Sequence, residues 1–175
     1  MSRYLVVYAS SHGQSRKVSE FIAKILREKN AEVELIDIKK AKGRLETSGV
    51  KAVFLGTSIH AGRYPGNMVR FTAQHLDSFA SVPVHFFTVC LAAHANSEDA
   101  KKTLKGYSDN FIAATGLKPA SIGYVAGALP YTRYNFLIKF IMKKISQASG
   151  GDVDTAKDYE YTDWDAVKKF ALAGM

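Results

Sequence analysis

The segment Ser10–Ser15, SSHGQS, packs three hydroxyls and one glycine into six residues, directly ahead of a stretch with helical periodicity. That combination suits an anion. The first turn of a helix leaves backbone N–H groups unpaired and carries the positive end of the helix dipole. Ser10, Ser11 and Ser15 add hydroxyl donors, Gly13 allows close backbone approach, and His12 and Gln14 complete the segment. The size suits one phosphate monoester. There is no G-x-G-x-x-G, which argues against a dinucleotide pyrophosphate, and no G-x-x-x-x-G-K-[ST], which argues against a nucleoside triphosphatase. No cysteine stands in the loop to act as a phosphatase nucleophile. Taken alone, the same residues make an N-cap and a turn equally well.

Two further segments stand at equivalent places. Gly56–Asn67, GTSIHAGRYPGN, follows the third apolar run, and Thr88–Ser97, TVCLAAHANS, follows the fourth. Both are long and rich in small residues. A flat ring can lie between them, with backbone groups of Thr57, Ser58, Ile59, His60, Ala61 and Gly62 on one side. Thr88, Val89, Cys90, Leu91, Ala92 and Ala93 stand on the other. Cys90 is the single cysteine, so no disulfide framework exists, which fits a reducing compartment; a packing role is the simpler reading of it. His12, His60, His75, His85 and His94 show no metal-ligand spacing, and no metal is expected.

The elements that must position these loops are legible as alternating patterns. Tyr4–Ala9, Lys51–Ser58, Val82–Val89 and Ser121–Gly127 are apolar runs that read as strands, and Ala31–Ile38 alternates as an outer strand. Helical patterns cover Ser15–Lys29, about Asn67–Leu76, Ser97 to about Thr115, and from near Asp163 to near Ala173. Ser97 is the expected N-cap of one, and Thr162 and Asp165 stand in capping-box spacing at the last. Five strands joined by helices imply a parallel sheet covered on both faces, with ligands beyond the carboxyl ends of the strands. No repeat or linker appears, so residues 1–175 read as one domain.

The segment 128–161, between the fifth strand and the last helix, is far longer than a connection there needs and reads as an insertion. On a helical wheel, Leu137, Ile138, Ile141, Met142 and Ile145 form one apolar arc. Lys139, Lys143 and Lys144 lie opposite, with Phe136 and Phe140 between, and Arg133 just ahead. The pattern suits a membrane interface or a large flat ligand bearing carboxylates; the plainer reading is a covering helix. The chain carries a net charge of +8, and those four basic residues supply half of it. A chain with 47% hydrophobic and 23% charged residues is ordinary globular material. No run reaches the roughly 18–20 apolar residues of a spanning helix, and the first residues show no secretory pattern. Membrane contact, if made, is expected to be peripheral. A single tryptophan, Trp164, and no recognition motif argue against a nucleic-acid partner.

Together the three loops resemble those of the flavodoxin family, which holds FMN with the phosphate in the first loop and the isoalloxazine between the second and third. The chain further resembles the quinone-dependent protoporphyrinogen IX dehydrogenases. The resemblance is carried by SSHGQS, GTSIHAGRY, AGALPYTRYNFLIKFIMKKISQASGGDVDT and YTDWDAVKKFA. It implies a flavodoxin-like, doubly wound α/β fold with strand order 2-1-3-4-5 and a basic amphipathic insertion after the fifth strand. It implies FMN as cofactor, protoporphyrinogen IX as substrate and a quinone, menaquinone or ubiquinone, as acceptor. A cytoplasmic protein bound peripherally to an anionic inner membrane face follows, with an oligomer possible. Arg133, Lys139, Lys143 and Lys144 become candidates for propionates or lipid phosphates, and Phe136 and Phe140 for apolar insertion. No side chain stands out as acid or base; His60 and Arg63 are the candidates nearest the flavin. Where the family often has an arginine and an aromatic after SI, this chain has His60 and Ala61, with Arg63 and Tyr64 further on; Val153 stands where threonine is common. An electron carrier without its own substrate, or an NAD(P)H:quinone reductase, are the alternatives.

Overall fold

In the computed structural model, residues 1–95, 97–129, 154 and 156–175 are described. The elements run β1 (Arg3–Tyr8), α1 (Gln14–Glu28), β2 (Glu32–Asp37), β3 (Val50–Ser58), α2 (Gly66–Gln74), α3 (Leu76–Ala80), β4 (Val84–Val89), α4 (Glu98–Thr115) and β5 (Ser121–Val125). A short ribbon, β6 (Ala128–Leu129) with β7 (Tyr159–Glu160), precedes α5 (Trp164–Ala173). The large sheet is fully parallel, in the order β2-β1-β3-β4-β5. That is the doubly wound arrangement expected, and it brings the first, second and third loops to one edge.

Alternation along the strands divides the core. Tyr4, Val6, Phe54 and Phe87 face α1 and α5, meeting Val18, Ile22, Leu26, Val167 and Ala171. Leu5, Val7, Val53, Leu55 and Phe86 face the other way, onto Met68 and Phe71 of α2, Phe79 of α3 and Phe111 of α4. The central strands are apolar on both faces because both faces are covered. The edge strand β2 keeps Glu32 and Glu34 exposed, with Glu34 paired to Arg3 at 3.0 Å.

The link from β2 to β3, where no helical pattern is expected, crosses as turns and coil over residues 38–49. Two expectations need correction. The single helix expected to about Leu76 breaks at His75 and restarts as α3. One His75 ring nitrogen lies 2.8 Å from the Phe71 carbonyl and the other 3.2 Å from the Gly43 carbonyl, so the side chain binds backbone at the break. Finally, the cap of the last helix is Asp163, whose carboxylate accepts from the Ala166 N–H at 2.9 Å. Thr162 is drawn elsewhere: its hydroxyl donates to the Ala126 carbonyl at 2.8 Å. Ser97 does cap its helix, accepting from the Ala100 N–H at 3.1 Å.

The ribbon closes the base of the inserted segment. Ala128 pairs with Glu160 and Leu129 with Tyr159, antiparallel, and the Tyr161 N–H donates to the Gly127 carbonyl at 3.1 Å. The amphipathic stretch with Arg133, Phe136, Lys139, Phe140, Lys143 and Lys144 lies outside the described residues. Among the described residues, no helix is long and apolar enough to cross a membrane.

Candidate functional site

Helix α1 starts without a side-chain cap. Its N-cap position is Gly13, at φ +93°, a left-handed conformation natural to glycine. A Cβ built there would find nothing within 4 Å. The first-turn N–H groups therefore receive no capping side chain, and the approach to them is open. Ser10 folds back so that its hydroxyl oxygen accepts from the Gly13 N–H at 3.0 Å, leaving its own hydrogen free to donate. Ser15, 1% exposed, keeps a hydroxyl with no partner among the described residues. An uncapped helix start, a left-handed glycine and buried or folded-back hydroxyls fit a phosphate monoester better than they fit a plain cap.

Two side chains of the loop do other work. The Gln14 amide donates to the Thr162 hydroxyl at 2.8 Å and to a Glu160 carboxylate oxygen at 3.3 Å. Lys17, one turn into the helix, pairs with the other Glu160 oxygen at 2.5 Å and sits 5.3 Å over the Trp164 ring. An anion here would be held by backbone and hydroxyls, with the nearest helix lysine already committed. From the β2 side, the Lys39 ammonium donates to the Ser10 carbonyl at 3.2 Å.

The second loop is a tight turn. His60 and Arg63 exchange both backbone hydrogen bonds, at 2.9 and 3.0 Å, around Ala61 at φ +47° and Gly62 at φ +75°. Two successive positive φ values are the signature of a type I′ turn, for which alanine is an unusual first residue. The turn raises Arg63 into solvent. His60 is itself exposed, with one ring nitrogen 2.7 Å from the Ser58 hydroxyl and the ring 4.9 Å from that of His12. Desolvation of the ring, then the neighbouring His12, lowers the His60 pKa from its ordinary value, favouring the neutral imidazole.

The third loop leaves β4 at Thr88 and Val89 and winds into a 3-10 turn, Leu91–His94, carrying Leu91, Ala92 and Ala93. It is joined to the second by the Ile59 N–H donating to the Val89 carbonyl at 3.0 Å. Thr57 and Thr88 are register partners at the strand ends, both fully buried, with hydroxyls unpaired among the described residues. Cys90 is half-buried rather than fully buried, and burial raises its thiol pKa. A thiol held protonated is a poor nucleophile. Cys90→Ala is therefore expected to keep turnover within about twofold and to lose about 1 kcal/mol of stability at most, as one small side chain removed from a half-buried site would. Steady-state assay and thermal unfolding check both parts.

These segments close a circuit. Loop one touches loop two through His12 and His60, and loop two holds loop three through Ile59 and Val89. Loop three meets the chain beyond β7 through His94 and Tyr161, rings 4.3 Å apart. Glu160 returns the circuit to α1. Between α1 and the ribbon lies a cleft of about 350 Å³ lined by His12, Gly13, Gln14, Lys17, Tyr159 and Glu160, among others. Glu160 carries no motif, and only its place beside α1 reveals it, while Tyr161 opens the YTDW motif and is joined to loop three by His94. A larger cavity, about 490 Å³, lies by the β2 edge between Arg3, Glu34, Asp37 and Arg44. It has neither a helix start nor the three loops, and one of its carboxylates is spent on Arg3.

A family model described as a flavodoxin domain matches residues 5–156. A protoporphyrinogen IX dehydrogenase (quinone) of Leishmania major is 30% identical over 168 residues, covering 95% of this chain and 72% of that protein. The protein of the same name from Escherichia coli K12 is 29% identical over 167 residues, covering 95% and 91%. Among solved structures, an oxidised flavodoxin 1 of Bacillus cereus aligns with a TM-score of 0.53 at 16% identity, over 99% of this chain and 95% of that one, a likeness of fold.

Proposed function

We propose that this chain, which belongs to the flavodoxin domain family and, within it, to the quinone-dependent protoporphyrinogen IX dehydrogenases, oxidises protoporphyrinogen IX to protoporphyrin IX. It is an FMN-type oxidoreductase, and in our reading its electrons pass to a membrane quinone, menaquinone or ubiquinone. The observation that carries the reading is a likeness covering 95% of the chain, too much of it to leave out the insertion or the three loops.

FMN, when bound, supplies a two-electron carrier between the reduced tetrapyrrole and the quinone. The chain's own residues bind and orient. Gly13, the first-turn N–H groups of α1 and the hydroxyls of Ser10, Ser11 and Ser15 hold the phosphate. Backbone groups of Thr57–Gly62 and of Thr88–Ala93 flank the ring. His60, whose ring bonds the Ser58 hydroxyl, is our candidate to accept a proton released as the substrate is oxidised. Arg63 stands exposed at the tip of the second loop, where a carboxylate of the substrate can reach it.

In this reading residues 1–175 are one domain, and 128–161 is the part of it that meets substrate and membrane. Arg133, Lys139, Lys143 and Lys144 receive propionates or lipid phosphates, and Phe136 and Phe140 enter the interface. The protein works from the cytoplasmic face of an anionic membrane, as a peripheral protein and with room for an oligomer. The test is anaerobic: purified protein with bound FMN is mixed with protoporphyrinogen IX and a quinone. Porphyrin fluorescence appearing in step with quinone reduction is expected. FMN that is reduced by NADPH but never by the porphyrinogen would refute the reading.

A further inference from the structure

The ribbon and the first turn of α1 are joined by a compact polar knot. One Glu160 carboxylate oxygen takes the Lys17 ammonium at 2.5 Å and the other accepts from the Gln14 amide at 3.3 Å. Gln14 also donates to the Thr162 hydroxyl at 2.8 Å, and Thr162 donates in turn to the Ala126 carbonyl at 2.8 Å. Lys17 lies against Trp164, and Trp164 packs on Phe21 of α1 with ring centroids 4.8 Å apart. The partners come from residues 14–21 and from residues 126 and 160–164, so the knot ties the beginning of the chain to both ends of the inserted segment.

A negative charge beside a phosphate-binding helix start is an unusual choice. It repels the anion and engages Lys17, the lysine one turn into the helix. Retaining Glu160 there makes sense if its task lies with the ribbon. We infer that Glu160 is a positioning residue: through Lys17 and Gln14 it fixes the ribbon, where residues 128–129 meet 159–160, against the cofactor-phosphate loop. The inference deepens the proposed dehydrogenase reading and rests on it for the substrate. The contact itself does not depend on that reading.

The geometry gives the variants opposite signatures. Losing Glu160 frees Lys17 and removes a charge near the phosphate, so affinity for FMN holds or rises. The ribbon keeps its two residue pairs and the Tyr161–Gly127 hydrogen bond, and Gln14 still reaches Thr162, but it loses its direct carboxylate tie to α1. In Glu160→Ala of the full-length protein, ribbon amide hydrogens, that of Tyr161 among them, should exchange about fivefold faster, the scale of a partly exposed ion pair. The KM for porphyrinogen should rise by a similar factor or more while the FMN dissociation constant does not. Glu160→Gln, which keeps a partner for Gln14, should fall between. Reversing the pair, Lys17→Glu with Glu160→Lys, should recover slow exchange that each single change loses.

Unchanged ribbon exchange in Glu160→Ala would overturn the inference, as would a loss of FMN affinity equal to the rise in KM. If the wild-type protein fails to oxidise porphyrinogen with any quinone, the dehydrogenase reading falls. The exchange rates and the charge reversal then still decide whether Glu160 clamps the ribbon.

Discussion

Exchanging residues 131–157 for a short Gly-Ser bridge will give a folded protein that binds FMN and no longer turns over porphyrinogen. The fold permits the cut because the segment leaves at Leu129 and returns at Tyr159 across one antiparallel pair. The five-stranded sheet, the three loops and α5 lie outside it. What is lost is the set of residues that the proposal assigns to substrate and membrane. Arg133, Lys139, Lys143 and Lys144 contribute on the order of 1 kcal/mol each beside an anionic leaflet. Phe136 and Phe140 add about 1.5–3 kcal/mol each when fully buried and less at an interface. Neither group alone holds a protein firmly to a bilayer, so removing both should release it from anionic vesicles. Charge reversal at Lys139 and Lys143 should weaken that binding in a salt-sensitive manner. Cosedimentation, FMN absorbance and the anaerobic assay read the three outcomes. A deletion variant that oxidises porphyrinogen at the wild-type rate would reduce the segment to a cover.

Gly13→Val is expected to cost about a hundredfold in FMN affinity, near 2.7 kcal/mol. Gly13 holds φ +93°, and a β-branched residue there is strained by roughly 1–2 kcal/mol. No protein atom lies within 4 Å of the new Cβ, so the rest of the fold is not crowded. The cost falls on the loop, which relaxes away from its left-handed turn, and on the space an anion needs in front of the first-turn N–H groups. Gly13→Ala, smaller but with the same φ penalty, should lose part of this. Quenching of FMN fluorescence on titration measures both. Wild-type affinity in the valine variant would show that the phosphate lies elsewhere, and wild-type protein left colourless by excess FMN would sink the cofactor assignment altogether.

The loops were legible because a parallel sheet sends every strand end to the same edge, and apolar runs such as Lys51–Ser58 announce buried strands. Ser97 was legible as a cap because its hydroxyl has no rival partner. Thr162 was not, since Asp163 beside it can cap equally well and the Ala126 carbonyl claims the threonine. The break at His75 carries no glycine or proline; it is made by a side chain that bonds Gly43, a residue 32 positions away. Glu160 was invisible for the same reason, being 143 positions from Lys17. Local pattern reveals what neighbours in sequence decide, and these residues are decided by neighbours in space.

The acidic edge of β2 has a consequence for how copies of this protein meet. An open sheet ends in a row of unpaired backbone donors and acceptors, ready to accept a strand from another molecule. On β2 that row is flanked by Glu32 and Glu34, both exposed. A second copy laid edge to edge would meet the Glu32 carboxylate, a Glu34 already held by Arg3 and a Val33 carbonyl already bonded by Arg27, which disfavours the union. An edge so occupied lets copies of the protein stand close together without their sheets fusing into one.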